Sequence, residues 1–411
     1  MFQSWTYWAS LAASVLVYWQ LPMRARPLLL LLVSLAYLYS LDPLGVTGLG
    51  VWVLAFLAIG WRLRERDGES SSALALAAIV GLLAYLAWYK YLPELAPGLG
   101  LDGEFRDVVA PLGISFITFR LIHYLVEVQR GSLPAYRPLD FLAYAFFFPI
   151  WTAGPIHRFD AFKSYADGAA PRFDKEDLRI GLNRIINGLI KKFVVADQLL
   201  PRLFGPHASA RELIDRLAGA STLEVWWFLA VSFLILYMDF SGYSDMAIGS
   251  ARLFGIRVLE NFNFPVLARN VSEYWKRWHM SLANWCQSYV YMPVIAHSRQ
   301  PYLAVFATFS IMGIWHAGSW HWLFWGLHHA LGISLHRLWA AEKRRRQWTW
   351  FSQGFSRHLA LPLTLLWVMA AGAFTTVHQV GSLGDSFRIL ARAVVPSFPA
   401  GTAGEAVTHG D

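Results

Sequence analysis

Between Pro301 and Leu335 the chain carries no Asp, Glu, Lys or Arg, so histidines are the only groups there that titrate near neutrality. One of them, His316, lies between Gly313 and the pair Gly318 and Ser319, and serine is a favoured residue for capping the start of a following helix. A break in the apolar run is therefore expected at His316, at membrane depth. An ionisable group inside a span is a functional hypothesis by default. Histidine is the side chain best suited to take and return a proton near neutral pH. The competing reading is a core histidine bonded to a carbonyl. His329 stands ten residues beyond Ser319, about 15 Å along a straight helix at 1.5 Å per residue. It is not expected to share a reacting atom with His316 unless the helix bends. His321, His328 and His336 read as polar or interfacial positions.

A second candidate is His279. Asn270 followed three residues later by Glu273 is a helix-start signature. Trp275, Trp278, Leu282, Trp285 and Tyr289 then recur as one stripe, so a continuous helix from Asn270 to Tyr291 is predicted. His279 borders that stripe, while Lys276 and Arg277 point to the other side, as on a helix near lipid headgroups. The alternative here is an interfacial anchor with a hydrogen-bonded histidine. Asp239 and Asp245 follow the apolar stretch Val225 to Met238, and carboxylates so near a span need partners. They could orient a histidine, hold Lys and Arg groups around a polar funnel, or form structural ion pairs.

The elements that must position these residues belong to a membrane protein. In 411 residues, 56% are hydrophobic, 16% aromatic and only 15% charged. Trp5 to Leu21, Pro27 to Leu41, Leu44 to Trp61 and Ala73 to Tyr89 can each cross, or nearly cross, a hydrocarbon core that needs about 20 helical residues. The first has neither a basic start nor a small-residue cleavage site, so it is expected to stay as an anchor. The +8 charge does not indicate nucleic acid, because its excess falls in short loops such as Arg24 and Arg26, Arg62 to Arg66, and Lys343 to Arg346. That pattern places those loops in the cytoplasm, and the Asp42 turn, the acidic stretch Glu94 to Asp107 and both termini outside. From Pro111 onward Gly, Pro and charges interrupt the apolar runs, which predicts short re-entrant helices around a cavity. Phe173 to Leu200 mixes charged and apolar residues and is expected to lie on the cytoplasmic interface.

The fold expected is all-α: about ten spanning helices plus re-entrant and interfacial helices around a central tunnel. A single domain would run over residues 1–395, with N-terminal spans in 1–110, core motifs in 111–340, and a basic loop and last span in 341–395, followed by a loose tail at 396–411. No paired inverted or parallel halves point to a transporter. One cysteine, Cys286, excludes an internal disulfide and argues against a metal or haem centre.

Six segments in order give a more specific reading: Phe147-Phe-Pro-Ile-Trp-Thr-Ala-Gly-Pro-Ile-His-Arg158, Lys191-Lys-Phe-Val-Val-Ala-Asp197, Asp239-Phe-Ser-Gly-Tyr-Ser-Asp245, Glu260-Asn-Phe-Asn-Phe-Pro265, Glu273-Tyr-Trp-Lys-Arg-Trp-His-Met-Ser-Leu282 and Gly313-Ile-Trp-His-Ala-Gly318. Together they resemble the membrane-bound O-acyltransferase superfamily, in the bacterial branch of alginate O-acetyltransferases and teichoic acid D-alanyl transfer proteins. Ala317 stands where many relatives have Gly, and the connection from Tyr291 to Pro301 is shorter than in alginate-type enzymes. The resemblance implies His316 as the catalytic histidine and His279 as the second polar position at the reaction tunnel. It further implies donor or substrate contacts from Lys276, Arg277, Trp278, Asp239, Asp245 and Trp315. No bound cofactor or metal is expected. The acyl donor would be acetyl-CoA or an acyl carrier protein thioester, and an extracytoplasmic acyltransferase or esterase-like partner would complete transfer to an envelope polymer outside a bacterial inner membrane.

Overall fold

Four apolar helices open the chain, α1 (Trp5–Gln20), α2 (Arg26–Leu41), α3 (Pro43–Arg64) and α4 (Glu69–Lys90), within a residue or a few of the four apolar stretches in the sequence. The computed structural model describes residues 1–64, 69–96, 100, 101, 105, 108–152, 154–167, 173–204, 209–350, 354 and 356–396. Arg66, most of the acidic stretch around Asp102 to Asp107, and the tail from Ser397 onward lie outside them. The described secondary structure is entirely helical. Among the described residues five helical segments are long and apolar enough to cross a membrane: Met23–Leu41, Pro43–Arg64, Ser72–Lys90, Thr222–Arg252 and His358–Val377, with Pro301–His316 apolar but shorter.

The N-terminal helices pack on α5 (Ile114–Gln129) and α6 (Pro138–Phe146) through a dense apolar core that includes Leu49, Phe56, Leu121, Phe141 and Phe148. Contacts between their ends define two opposite faces. On one, the Trp19 indole donates to the Leu253 carbonyl (2.9 Å), Arg252 pairs with Asp177 (2.6 Å) and Arg64 donates to the Pro134 carbonyl (3.0 Å). On the other, the Leu112 amide donates to Asp42 (2.8 Å), and Lys90 donates to Ser115 (3.1 Å) and to the Trp315 carbonyl. His316 adjoins this second face.

The segment expected on the interface behaves differently. After the short helix α7 (Phe159–Asp167), α8 (Lys175–Leu189) and the π-helical Ile190–Leu199 run along the long span α9 (Thr222–Arg252) rather than flat on a surface. Glycines allow it: a Cβ on Gly188 would lie 2.6 Å from the Gly242 carbonyl oxygen, and one on Gly249 would lie 2.6 Å from that of Gly181. Lys191 and Arg184 meet Asp245 (2.6 and 3.1 Å), and Lys192 meets Asp239 and Asp197. Backbone contact and charge pairing along α9 outweigh the amphipathic pattern that suggested an interfacial helix.

The stripe from Asn270 to Tyr291 is not one helix. It divides into α10 (Val271–Trp275), a turn through Lys276 to His279, α11 (Met280–Cys286) and a π-helical stretch, Gln287–Tyr291. The start signature holds, since Asn270 caps the Glu273 amide at 2.8 Å. The break arises where the preceding loop takes over the backbone hydrogen bonds: Asn263 N–H donates to the Arg277 carbonyl and Met280 N–H to the Asn261 carbonyl, both at 2.9 Å.

Candidate active site

His316 ends α12 (Pro301–His316), and α13 (Trp320–Arg345) returns antiparallel beside it. The pair can approach because Gly313 and Gly326 face backbone: a Cβ on either would lie 2.2 Å from a carbonyl oxygen of the other helix, that of Trp322 or of Phe309. Between the helices Ala317 is extended (φ −160°, ψ 150°) and Ser319 occupies the N-cap position. Its hydroxyl makes no capping bond, however, and meets His378 Nδ1 at 3.0 Å instead. The histidine ring is thus presented at a helix end, stacked on Trp322 (centroids 4.5 Å apart, 23°) and edge-on to Trp325 (5.3 Å).

His279 arrives by a different device. It has left-handed backbone angles (φ 42°, ψ 51°), a conformation that costs a non-glycine residue on the order of 1–3 kcal/mol and persists only where surroundings enforce it. The enforcing group is Asn261, fully buried. Its amide nitrogen donates to Ser244 Oγ (3.1 Å), and its side-chain oxygen accepts from Ser281 Oγ (2.6 Å). Ser281 Oγ in turn accepts from the Ile156 amide (2.9 Å). Four of the six sequence segments meet at this one joint. Next to it, His279 is buried edge-on to Phe240 (4.7 Å), and its Nδ1 makes no hydrogen bond.

Both histidines line one cavity of about 380 Å³, walled by aromatic residues that include Trp278, Trp322 and Trp325. Among the described residues no Asp, Glu, Lys or Arg lines it. No carboxylate is therefore there to orient His316; aromatic packing fixes its ring. His329 lines the same cavity, its Nδ1 accepting from the Trp275 indole N–H at 3.3 Å, which leaves the Nε2–H tautomer. His329 reaches this wall because the cavity extends along α13, and Trp325 stands between the two histidine rings. The uncharged run holding both histidines was the available signal.

Other expected positions fall elsewhere. Trp278 is in the wall, but Lys276 is exposed. Arg277 is engaged by Glu273 (2.8 Å) and by the Asn263 carbonyl (3.1 Å). Asp239 and Asp245 hold lysines and an arginine, and among the described residues neither is paired with a histidine. Trp315 turns away from the cavity, toward Phe119 (4.9 Å) and beneath the Lys90 ammonium (4.8 Å). His328 bonds the Trp367 carbonyl (2.9 Å), His336 bonds Ser272 (3.1 Å), and Cys286 is buried and free. Among the described residues no group of three or more His, Cys, Asp or Glu could hold a metal ion.

A helical chain with several apolar spans, and among its described residues a cavity whose ionisable groups are histidines, has the layout of a polytopic membrane protein. Residues 126–370 match the membrane-bound O-acyltransferase family, and the chain belongs to that family. It is 33% identical over 358 residues to a probable alginate O-acetylase, AlgI, of Azotobacter vinelandii, covering 81% of this chain and 68% of that protein. To the probable alginate O-acetylase AlgI of Pseudomonas aeruginosa it is 32% identical, covering 76% of this chain and 61% of the relative. A teichoic acid D-alanyltransferase of Bacillus subtilis is 26% identical, with 84% of this chain and 88% of that protein covered.

Proposed function

We propose that this protein moves an acyl group, acetyl in the first instance, from a cytoplasmic thioester to a hydroxyl at the opposite membrane face, with His316 as general base. The observation that carries the reading is the joint placement of His316 and His279 on one cavity free of charged side chains. His316 takes the proton of the acceptor hydroxyl as its oxygen attacks the thioester carbonyl. The new C–O bond forms, the C–S bond breaks, and the imidazolium returns the proton to the departing thiolate. Such help is worth about 10²- to 10⁴-fold. His279, with an unpaired Nδ1, aligns donor or acceptor beside it. Lys276, exposed near that joint, is the candidate contact for the phosphates of coenzyme A or of a carrier-protein arm.

Two alginate O-acetylases among the relatives support an acetyl group and a polysaccharide hydroxyl as the end point. An extracytoplasmic partner would complete that transfer outside a bacterial inner membrane. The Bacillus subtilis relative supports a second reading, D-alanyl transfer from a carrier protein to teichoic acid, by the same proton path. Membrane vesicles supplied with either labelled acetyl-CoA or a D-alanyl carrier protein separate the two. His316→Gln tests both, because glutamine keeps hydrogen-bonding capacity but cannot shuttle a proton. It should be as inactive as His316→Ala at equal expression; near-wild-type transfer by His316→Gln would remove the base from this residue.

A further inference from the structure

Behind the wall that carries His329 lies a second cavity, of about 510 Å³, between α10, α13 and the helix Ser356–Ala370. The two cavities share no lining residue, but Glu273, Gly332 and Trp367 line this one where Tyr274, His329 and Val368 line the first. Two cationic side chains border the second cavity, Arg269 and Lys343, the latter also donating to the Trp350 carbonyl at 3.1 Å. Glu273, the carboxylate beside them, is already compensated by Arg277 at 2.8 Å and by the Arg269 amide at 2.9 Å. The remaining walls are mostly apolar, with Asn270, His336 and Thr364 among them, and two of the apolar residues, Leu335 and Leu363, are 48% and 53% exposed.

The geometry points to a binding site for one anionic phospholipid, with its phosphate between Arg269 and Lys343 and the start of an acyl chain along Leu335, Trp339 and Leu363. Charge complementarity selects the headgroup. Lys343 lies in the last turn of α13, followed by Arg344 and Arg345, where a basic helix end meets the membrane surface. The position of the opening selects a lipid over a soluble phosphorylated thioester. Leu363 lies on the apolar span His358–Val377 and Leu335 beside it is likewise exposed, which favours a groove open sideways to the bilayer over one open to water. The site stands apart from the catalytic residues and makes no demand on the identity of the acyl group.

The test uses the full-length protein in detergent, by native mass spectrometry and thermal denaturation, with phosphatidylglycerol and phosphatidylcholine of identical chains as probes. Phosphatidylglycerol should be retained as a one-to-one adduct and raise Tm, and phosphatidylcholine should do neither. Arg269→Gln with Lys343→Gln should weaken phosphatidylglycerol binding about tenfold or more. Ala340→Phe, which narrows the groove and leaves both cations, should abolish the adduct and serves where the double variant folds poorly. Folding is judged by a wild-type Tm in phosphatidylcholine. Equal retention of the two lipids, unchanged phosphatidylglycerol binding in both variants, or displacement of the adduct by acetyl-CoA would each overturn the assignment.

Discussion

Asn261 is the residue on which the active-site geometry turns. Removing its side chain leaves the Ser281 and Ser244 hydroxyls without their partner in a buried site, and each such loss costs about 1–3 kcal/mol. Asn261→Ala should therefore destabilise the protein by about 2–4 kcal/mol, read as a fall in Tm in detergent, and should lower transfer as His279 loses its enforced backbone. Ser244→Ala removes only one bond and should cost about 1 kcal/mol with activity largely kept. Equal Tm values for the two variants would show that the joint does not hold the turn. His316 and His279 were legible as candidates because residue type and an uncharged setting are sequence properties. Asn261 was not, since its role comes from contacts with Ser244 and Ser281, 17 and 20 positions away, and from the bond that Ser281 makes to Ile156, and no spacing rule encodes these.

At the scale of elements, close backbone approach decides what periodicity cannot. The apolar stripe from Trp275 to Tyr289 has helical spacing, yet Asn261 and Asn263 draw the backbone hydrogen bonds of that segment out of register, and the helix divides around His279. Periodicity reports which face is apolar and is silent on bonds offered by another loop. The glycines of α12 and α13 are the converse case. Gly313 reads as a helix breaker in sequence, but in the fold it stays helical and admits the partner backbone. Gly313→Val should fail to accumulate as folded protein, because a Cβ at 2.2 Å from a backbone carbonyl cannot be relieved by a rotamer change. Gly381→Ala is the contrasting control, as its closest contacts, at 2.9 Å, are side-chain ends that can shift. Size-exclusion profiles of the two variants, matched for expression, check the contrast.

For the whole molecule, the question is which face meets the cytoplasm. The alternation of α1 to α4 puts Arg26 and Arg64 on one face and Asp42 and Lys90 on the other. The α13 helix begins at Trp320 beside the second face and, at 26 residues, is about 39 Å long, enough to carry Lys343 to Arg345 to the first. Short basic loops resist translocation, so the Arg26 face is predicted to meet the cytoplasm, with His316 in the outer half of the membrane. Cysteine accessibility tests this in a Cys286→Ala background, since the native thiol is the only one present. Arg24→Cys, Arg64→Cys and Arg344→Cys should resist an impermeant thiol reagent in intact cells and react once the cells are opened. Glu94→Cys, next to His378 on the second face (3.7 Å), should react in intact cells. Labelling of Arg344→Cys from outside would reverse the orientation, and with it the side from which the thioester reaches His316, while leaving the pairing of the two histidines in one cavity untouched.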